Sequence, residues 1–286
     1  MATDIALSLL PPLVRFLEAV RRAEERRRVT VLERRMARQV ARWFVGQGAA
    51  VVERLEPHLA SRFDDNAALF VQESIAPSDW LWLLGTVLEA GVDELEQIID
   101  VFAGSALMAG AGAVLDEFDE MRATFSLSNP RAVAWAEGHA ARQVTRINDT
   151  TRTELNRLLT EAVDNGWSWT RTAQAIKKQF ADFAGPPLFP SRKFRSRAEM
   201  VAAYEIGDAY EAGKQFAAEM AAGDFPMEKA WLSARDGRVR PMHQANDAQG
   251  WIPLDATFES GDWRPPTDPG CRCSLQYRRR PDDAAA

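Results

Sequence analysis

A change of sequence pattern near residue 223 constrains the fold of this chain more than any other feature. Before it, apolar residues recur at the three- and four-residue spacing of amphipathic helices, as at Met36, Val40 and Phe44. After it, apolar runs are short and alternate with turn residues such as Asp236-Gly237. The sequence therefore predicts an α+β fold, in which a mainly helical N-terminal region is followed by a small C-terminal α+β module.

The polar residues 126–130 interrupt the helical pattern and predict a domain boundary. We expect a helical region with a basic N-terminal arm, then a second domain of helices and a small sheet module, then a short tail. The predicted bounds are 1–125 for the first region, 126–280 for the second (helices 131–222, sheet module 228–277), and 281–286 for the tail. The predicted strands are 229–234, 251–258 and 271–277.

Local signals set several helix ends in the second region. Gly166 is suited to the left-handed position that ends a helix, and Ser168 or Thr170 to the N-cap of the next one. Ser196 and Glu199 have the spacing of a capping box, which predicts that another helix begins there.

Charge is distributed unevenly along the chain. The net charge is −6, which argues against broad, nonspecific nucleic-acid binding by the whole surface. Yet the first forty-five residues hold ten arginines against five acids. One interpretation is a solvated helix face with ion pairs. The other is an arm that contacts DNA or an acidic partner. The arginines proposed for such a contact are Arg21, Arg22, Arg26, Arg27, Arg28, Arg34 and Arg35.

Composition and missing motifs count against several classes of protein. Two cysteines rule out a disulfide framework. The apolar run over 98–115 has the minimum length of a membrane span, but it is rich in Gly and Ala and flanked by acids. We expect a buried helix there, and a soluble cytoplasmic protein with no membrane partner. Phosphate-binding glycine loops and the common hydrolase and zinc-peptidase motifs do not occur.

The only two cysteines lie one residue apart near the end of the chain, and a histidine precedes them. In a strand, Cys271 and Cys273 would face the same side, and with His243 they could bind one metal ion. The competing interpretation is two packed thiols and a hydrogen-bonded histidine, which we favour because Cys-x-Cys is a weak metal signal. A cysteine nucleophile fits poorly, since nothing orients a base beside it. Possible oxygen ligands are Asp236, Asp255 and Asp268.

Arginines and acids are interleaved in the same segment. A guanidinium can bind a carboxylate through two parallel hydrogen bonds, and such pairs would lock the loops of a small sheet module. The arginines that can form them are Arg238, Arg240 and Arg272. Glu205 lies on a largely apolar helix face, and we expect it to pair with one of these arginines. A catalytic role for Glu205 has no support in the sequence.

The ordered series of motifs resembles the Mu F-like minor head proteins of tailed phages, also called phage head morphogenesis proteins. The resemblance covers about residues 130–277. Two departures stand out: Ala203-Tyr204-Glu205 replaces an Arg-Thr-Glu of the family, and Asp268 stands where the family often has a histidine, which weakens a metal site that depends on it. The residues of the family motif are Glu205, Trp231, Asp236, Arg238, Arg240, His243, Gly250, Asp255, Phe258, Pro266, Cys271, Arg272 and Cys273.

The resemblance implies a minor capsid protein of a tailed phage or prophage, without catalysis and without a cofactor. It would dock on the portal and other head proteins during assembly in the host cytoplasm, assist DNA packaging or ejection, and reside in the virion at the capsid interior or portal vertex. Phage DNA would be a partner of the basic arm. The family's C-terminal module is thought to be related in fold to ADP-ribosyltransferases, so one alternative is an active or degenerate transferase. Another is a zinc-binding interaction module.

Overall fold

A computed structural model describes residues 2–64, 84–89, 91–115, 129–185 and 196–281. Helices dominate up to residue 221, and a small antiparallel sheet follows, so the predicted α+β class is confirmed. Within the described residues the helices are α1 (Ala2–Asp64), α2 (Val92–Leu115), α3 (Pro130–Asp164), α4 (Trp169–Ala184), α5 (Arg197–Ala221) and α6 (Pro241–Ala248), and the short described segment 84–88 is also helical. The strands are β1 (Met227–Leu232), β2 (Trp251–Pro253) and β3 (Ser274–Arg279).

Helix α1 buries the apolar stripe that the sequence predicts. Met36, Val40 and Phe44 are fully buried and belong to the main hydrophobic core. The helix continues past this stripe and packs against α4 and α5. At Gly48 the approach is close, because a Cβ placed there would lie 2.5 Å from the Cβ of Phe180 on α4.

Helices α2 and α5 cross in backbone contact. A Cβ at Gly110 would lie 1.9 Å from the carbonyl oxygen of Tyr210, and a Cβ at Gly213 would lie 1.9 Å from that of Leu107. Only glycine at both positions permits this approach, which makes α2–α5 the most extensive helix pair of the described residues. Helix α2 is long and apolar enough to cross a membrane by length and composition, and half of its most apolar window is buried against the other helices.

The predicted caps of α3, α4 and α5 are confirmed. Gly166 follows α3 with a φ of 59°. The hydroxyl of Ser168 accepts a hydrogen bond from the Arg171 N–H at the start of α4. The hydroxyl of Ser196 accepts a hydrogen bond from the Glu199 N–H, at 3.1 Å, and α5 begins directly after Ser196, at Arg197.

The three strands form an antiparallel sheet in the order β2-β1-β3. Buried side chains of the sheet, such as Trp231 and Leu275, make a second core with Phe258 from the loop after β2, with small residues of α5 and with the end of α2. Helix α5 therefore runs from the first core into the second. The strands lie in the predicted regions, although β2 is shorter than expected and β3 begins after the cysteines.

A polar clamp joins α5 to β3. The Glu211 carboxylate accepts a hydrogen bond from the Leu275 N–H at 3.0 Å and another from the Ser274 hydroxyl at 2.5 Å. Lys214 pairs with Glu211 at 3.3 Å and also donates to Ser274 and to the Leu275 carbonyl. Because this pair is buried and its atoms are hydrogen-bonded, it fixes the sheet on the helix.

Helices on both sides of the predicted boundary share the first core, which includes side chains of α1, α2, α3, α4 and α5. The boundary itself, at 126–130, falls mostly in residues 116–128, outside the described residues, and it stays a prediction.

Helix α6 is an element that the sequence pattern did not predict. Pro241 occupies its first turn, where a missing N–H costs nothing, and Arg240 precedes it in an extended conformation. The helix has only eight residues, too few for apolar periodicity to be evident. It matters because it carries His243, one of two buried side chains on its inner face.

Candidate functional site

The imidazole of His243 and the thiols of Cys271 and Cys273 come together beneath α6. The Nδ1 atom of His243 lies 3.7 Å from Sγ of Cys271 and 3.5 Å from Sγ of Cys273. All three potential ligand atoms lie within 4.8 Å of one another. The two cysteines lie just before β3, and both sulfurs approach the same imidazole nitrogen, as their spacing in the sequence indicated.

The second nitrogen of the imidazole ring, Nε2, is also hydrogen-bonded, which holds the ring in place. Nε2 of His243 lies 2.9 Å from the Thr267 hydroxyl, which in turn donates to the Asp268 carboxylate at 3.3 Å. Asp268 also pairs with Arg240 at 3.2 Å. With Nε2 protonated and bonded to Thr267, the lone pair of Nδ1 faces the two sulfurs. Asp268 therefore acts on His243 through Thr267 and does not join the cluster.

Several N–H groups favour charge on the sulfurs. The pKa of the Cys271 thiol is lowered to about 6, first by a hydrogen bond with Cys273 and also by the backbone N–H groups of Cys273 and Thr267. The pKa of Cys273 is raised instead, because Cys271 takes the first charge and because the site is buried. Hydrogen bonds from Trp231 and from the Ala234 backbone oppose that rise. The pair thus loses its first proton easily and its second with difficulty.

The arginines of the motif pair with acids, as predicted. Arg272 contacts Asp236 at 2.6 Å, and Arg238 reaches the same carboxylate through its backbone N–H at 3.0 Å and its guanidinium at 3.4 Å. The Arg272 hydrogen bond, followed by the Arg238 backbone bond, holds the pKa of Asp236 well below its usual range. Asp255, the third candidate acid, is exposed and is not part of this group.

A second ion-paired turn was not singled out in the sequence. Arg235 adopts a left-handed conformation with φ of 51°, and its guanidinium contacts both oxygens of Asp247 on α6, at 3.0 and 3.1 Å. Asp247 also accepts from the Ser233 hydroxyl at 2.6 Å. These bonds fasten α6 to the end of β1 and so help to position His243.

The remaining motif residues shape the module. Gly250 has a φ of 73° in the turn between α6 and β2, a conformation that favours glycine. Phe258 packs edge-on against Trp231 with ring centroids 5.1 Å apart, and Trp231 in turn lies 5.3 Å from the His243 ring. Pro266 follows a cis peptide bond in the loop that leads to Thr267.

Glu205 is not paired with an arginine of the motif, so that expectation is wrong. Its carboxylate lies 2.6 Å from Nε2 of His139 on α3, and both side chains are buried. Asp208 lies 3.7 Å from Nδ1 of the same ring, and Trp135 stacks on it with centroids 4.1 Å apart. Burial raises the pKa of Glu205, while the hydrogen bond to His139 partly offsets the rise. Arg264, from the loop after β2, binds Asp208.

This buried pair joins α3 to α5. A cavity of about 400 Å³ between α2 and α3 is lined by His139 and Trp135 but not by Glu205. The sequence could not indicate the pairing, because His139 lies 66 residues away on another helix. A carboxylate enclosed in this way is poorly placed to act on a substrate.

The arginines of α1 lie on the exposed surface where their side chains are described. Those are Arg26, Arg27, Arg28, Arg34 and Arg35 of the predicted contact, together with Arg38, Arg42 and Arg54. The side chains of Arg21 and Arg22 lie outside the described residues.

Comparison with known proteins agrees with the motif series. The family model of Phage Mu protein F like protein matches residues 153–276, which include Glu205 and the motif from Trp231 to Cys273. No curated protein and no solved structure matches the chain. The matched family is one of structural, not enzymatic, proteins. Residues 153–276 of this chain are therefore similar to the Mu F-like phage head morphogenesis proteins, as the motif series indicated.

Proposed function

We propose that this phage head protein is a minor capsid protein that docks on the portal or the inner capsid during head assembly and assists DNA packaging or ejection. The observation that supports it most is the family match over residues 153–276, which contain most of the C-terminal module. Its motif residues mainly tie loops together, through Asp236 and its two arginines above all. A module locked in this way is suited to presenting a fixed surface to other head proteins.

Helix α1 supplies the surface that we assign to DNA or to an acidic surface of the portal. At 3.6 residues per turn, six of its exposed arginines fall within about 120° of the helix circumference. The buried stripe of Met36, Val40 and Phe44 lies on the opposite side. The six are Arg27, Arg28, Arg34, Arg35, Arg38 and Arg42.

This arginine face has a length suited to a duplex. From Arg27 to Arg42 the helix rises about 22 Å, the length of about six base pairs at 3.4 Å each. Arginine contacts to phosphates release counterions, so DNA affinity should fall steeply with salt. The positive face is unusual in a chain whose net charge is −6.

Portal docking is tested by co-expressing the full chain with the portal protein of the same phage and measuring co-purification. We expect a complex with few copies of this chain for each portal ring. A portal that purifies without it, under conditions where both proteins are soluble and folded, would refute the docking proposal.

The DNA part has a matched control. The test variant is the full chain in which three arginines, Arg27, Arg34 and Arg35, are all replaced by Gln. It should bind DNA more weakly than the wild type. The slope of log affinity against log salt concentration should become shallower by up to about three, about one for each lost phosphate contact. A control triple carries the same charge change on exposed arginines of α3 and α4 and should bind like wild type. The control residues are Arg142, Arg157 and Arg171. Equal losses in both triples, or binding that does not depend on salt, would contradict a specific role of α1.

A transferase is the competing function, and the geometry gives it little support. Its candidate acid, Glu205, is buried and hydrogen-bonded to His139. We expect no NAD consumption by the full chain, and turnover that is abolished by Glu205→Gln would establish the transferase instead.

A further inference from the structure

We propose that His243, Cys271 and Cys273 bind one zinc ion, which fastens the long loop of the C-terminal module to α6. The proposal is independent of portal docking and of the DNA contact. Whereas the sequence favoured two packed thiols, the geometry of the three side chains points to a metal.

The first argument is the spacing of the ligand atoms. With the usual zinc–sulfur and zinc–nitrogen bond lengths, tetrahedral coordination places nitrogen and sulfur ligands about 3.6 Å apart. The two distances from Nδ1 of His243 are 3.5 Å to Cys273 and 3.7 Å to Cys271. All three atoms also lie within 4.8 Å of one another, so they can outline one face of a zinc tetrahedron.

The second argument is that the ligands are oriented by their neighbours. A histidine that binds metal through one nitrogen commonly donates its other N–H to an oxygen, which fixes the ring and the tautomer. Nε2 of His243 has such a partner in Thr267, at 2.9 Å, with Asp268 behind it. The nitrogen left for the metal is Nδ1, the atom that faces both sulfurs.

The third argument is the chemistry of the ligand set. Two thiols and one imidazole are ligands that zinc prefers, and two thiolates balance the charge of a divalent ion. Metal binding itself releases the thiol protons, so the free site need not be ionised. His243 is buried and the two cysteines are half-buried. The indole of Trp231, which lies beside the His243 ring, has a buried N–H without a conventional hydrogen bond.

The fourth argument is structural need. Residues 254–273, between β2 and β3, contain no helix or strand, and loops this long are uncommon within a compact domain. The ion would connect α6 to the end of this loop, across sequence separations of 28 and 30 residues. A clip that closes a long loop removes much of the entropy of the unfolded chain. Among the described residues, no carboxylate or further histidine completes the set, so water fills the fourth position.

The test measures metal in the full chain, purified under reducing conditions, loaded with zinc and desalted. We expect close to one zinc per chain in the wild type, and loss of that zinc in His243→Gln and in Cys273→Ser. His58→Gln is the matched control, because His58 is an exposed histidine on α1 and should leave the zinc content unchanged. A wild-type chain without retained zinc, or zinc retained equally in Cys273→Ser, overturns the proposal.

Two further measurements apply if a ligand variant fails to fold. Cobalt bound to the wild-type chain should give the intense visible bands of a tetrahedral site and a sulfur-to-cobalt charge-transfer band, and an octahedral spectrum without that band contradicts the assignment. Thr267→Val removes only the hydroxyl that orients His243, so we expect zinc affinity to fall by about 10- to 100-fold with the fold retained. An unchanged affinity in Thr267→Val refutes the orienting role.

Discussion

The crossing of α2 and α5 offers the sharpest test of the fold, through Gly213→Ala. The new Cβ would lie 1.9 Å from the Leu107 carbonyl oxygen and 3.0 Å from the Ala111 nitrogen, whereas ordinary contacts begin at 3.4 Å. Both neighbours are backbone atoms, so no side chain can turn away. The helices would have to separate by about 1.5 Å along their most extensive contact, and overpacking of this kind costs about 1–3 kcal/mol or more.

The substitution also has a favourable part, because alanine is the better helix former by about 1 kcal/mol. A backbone clash falls at the upper end of the range, and we therefore expect a net loss of about 2 kcal/mol in the free energy of unfolding. For a chain of this size that corresponds to a decrease in melting temperature of about 4–8 °C.

Gly104→Ala on α2 is the matched control. A Cβ at Gly104 meets nothing within 4 Å, so only the helix preference remains and the chain should gain about 0.5–1 kcal/mol. Urea unfolding of the two variants, followed by circular dichroism, should then separate them by roughly 3 kcal/mol. If Gly213→Ala is as stable as Gly104→Ala, the two backbones are not in contact and the packing of α2 on α5 described above is wrong.

Three other substitutions test individual side chains. Burial lowers the pKa of Lys229 to about 8, so below that pH the buried charge destabilises the folded chain. As pH rises from about 8 to about 10.4, the wild type should therefore gain stability relative to Lys229→Met. Curves of unfolding free energy against pH that run parallel for the two proteins would contradict this. Glu211→Ala leaves Lys214 buried without its partner and should cost about 3–5 kcal/mol in urea unfolding, against less than about 0.5 kcal/mol for the exposed Glu161→Ala. Because arginines lower the pKa of Asp236, its contribution to the stability of the fold is present above about pH 4 and is lost in acid. The difference in melting temperature between the wild type and Asp236→Asn should therefore vanish as pH falls. A difference that stays constant with pH counts against the ion pairs.

Local features of the helical part could be predicted because their causes are local. The cap at Ser196 and the stop at Gly166 each depend on a few adjacent residues, and both are confirmed. The buried stripe of α1 follows from periodicity alone. The partner of Glu205 could not be predicted, because the choice between His139 and an arginine depends on how α3 and α5 pack.

The candidate metal site was only partly predictable, for a related reason. Alternation within an extended segment predicts that Cys271 and Cys273 face the same side. The position of His243 depends on α6, a helix of eight residues that is held by Arg235 and Asp247 and has no periodic signature. Without that helix the histidine is one polar residue in a loop, and packed thiols are the simpler interpretation.

Helix α5 explains why the matched module and the N-terminal helices should be studied together. Its first half packs in the core shared with α1 and α3, and its middle both contacts α2 at Gly213 and holds β3 through Glu211. A fragment that begins at residue 126 would lack α2 and would expose the small-residue face of α5 to solvent. Association of such a fragment with the portal could then reflect that uncovered apolar face, so only the full chain, compared with surface variants such as the α1 arginine triple, tests docking itself.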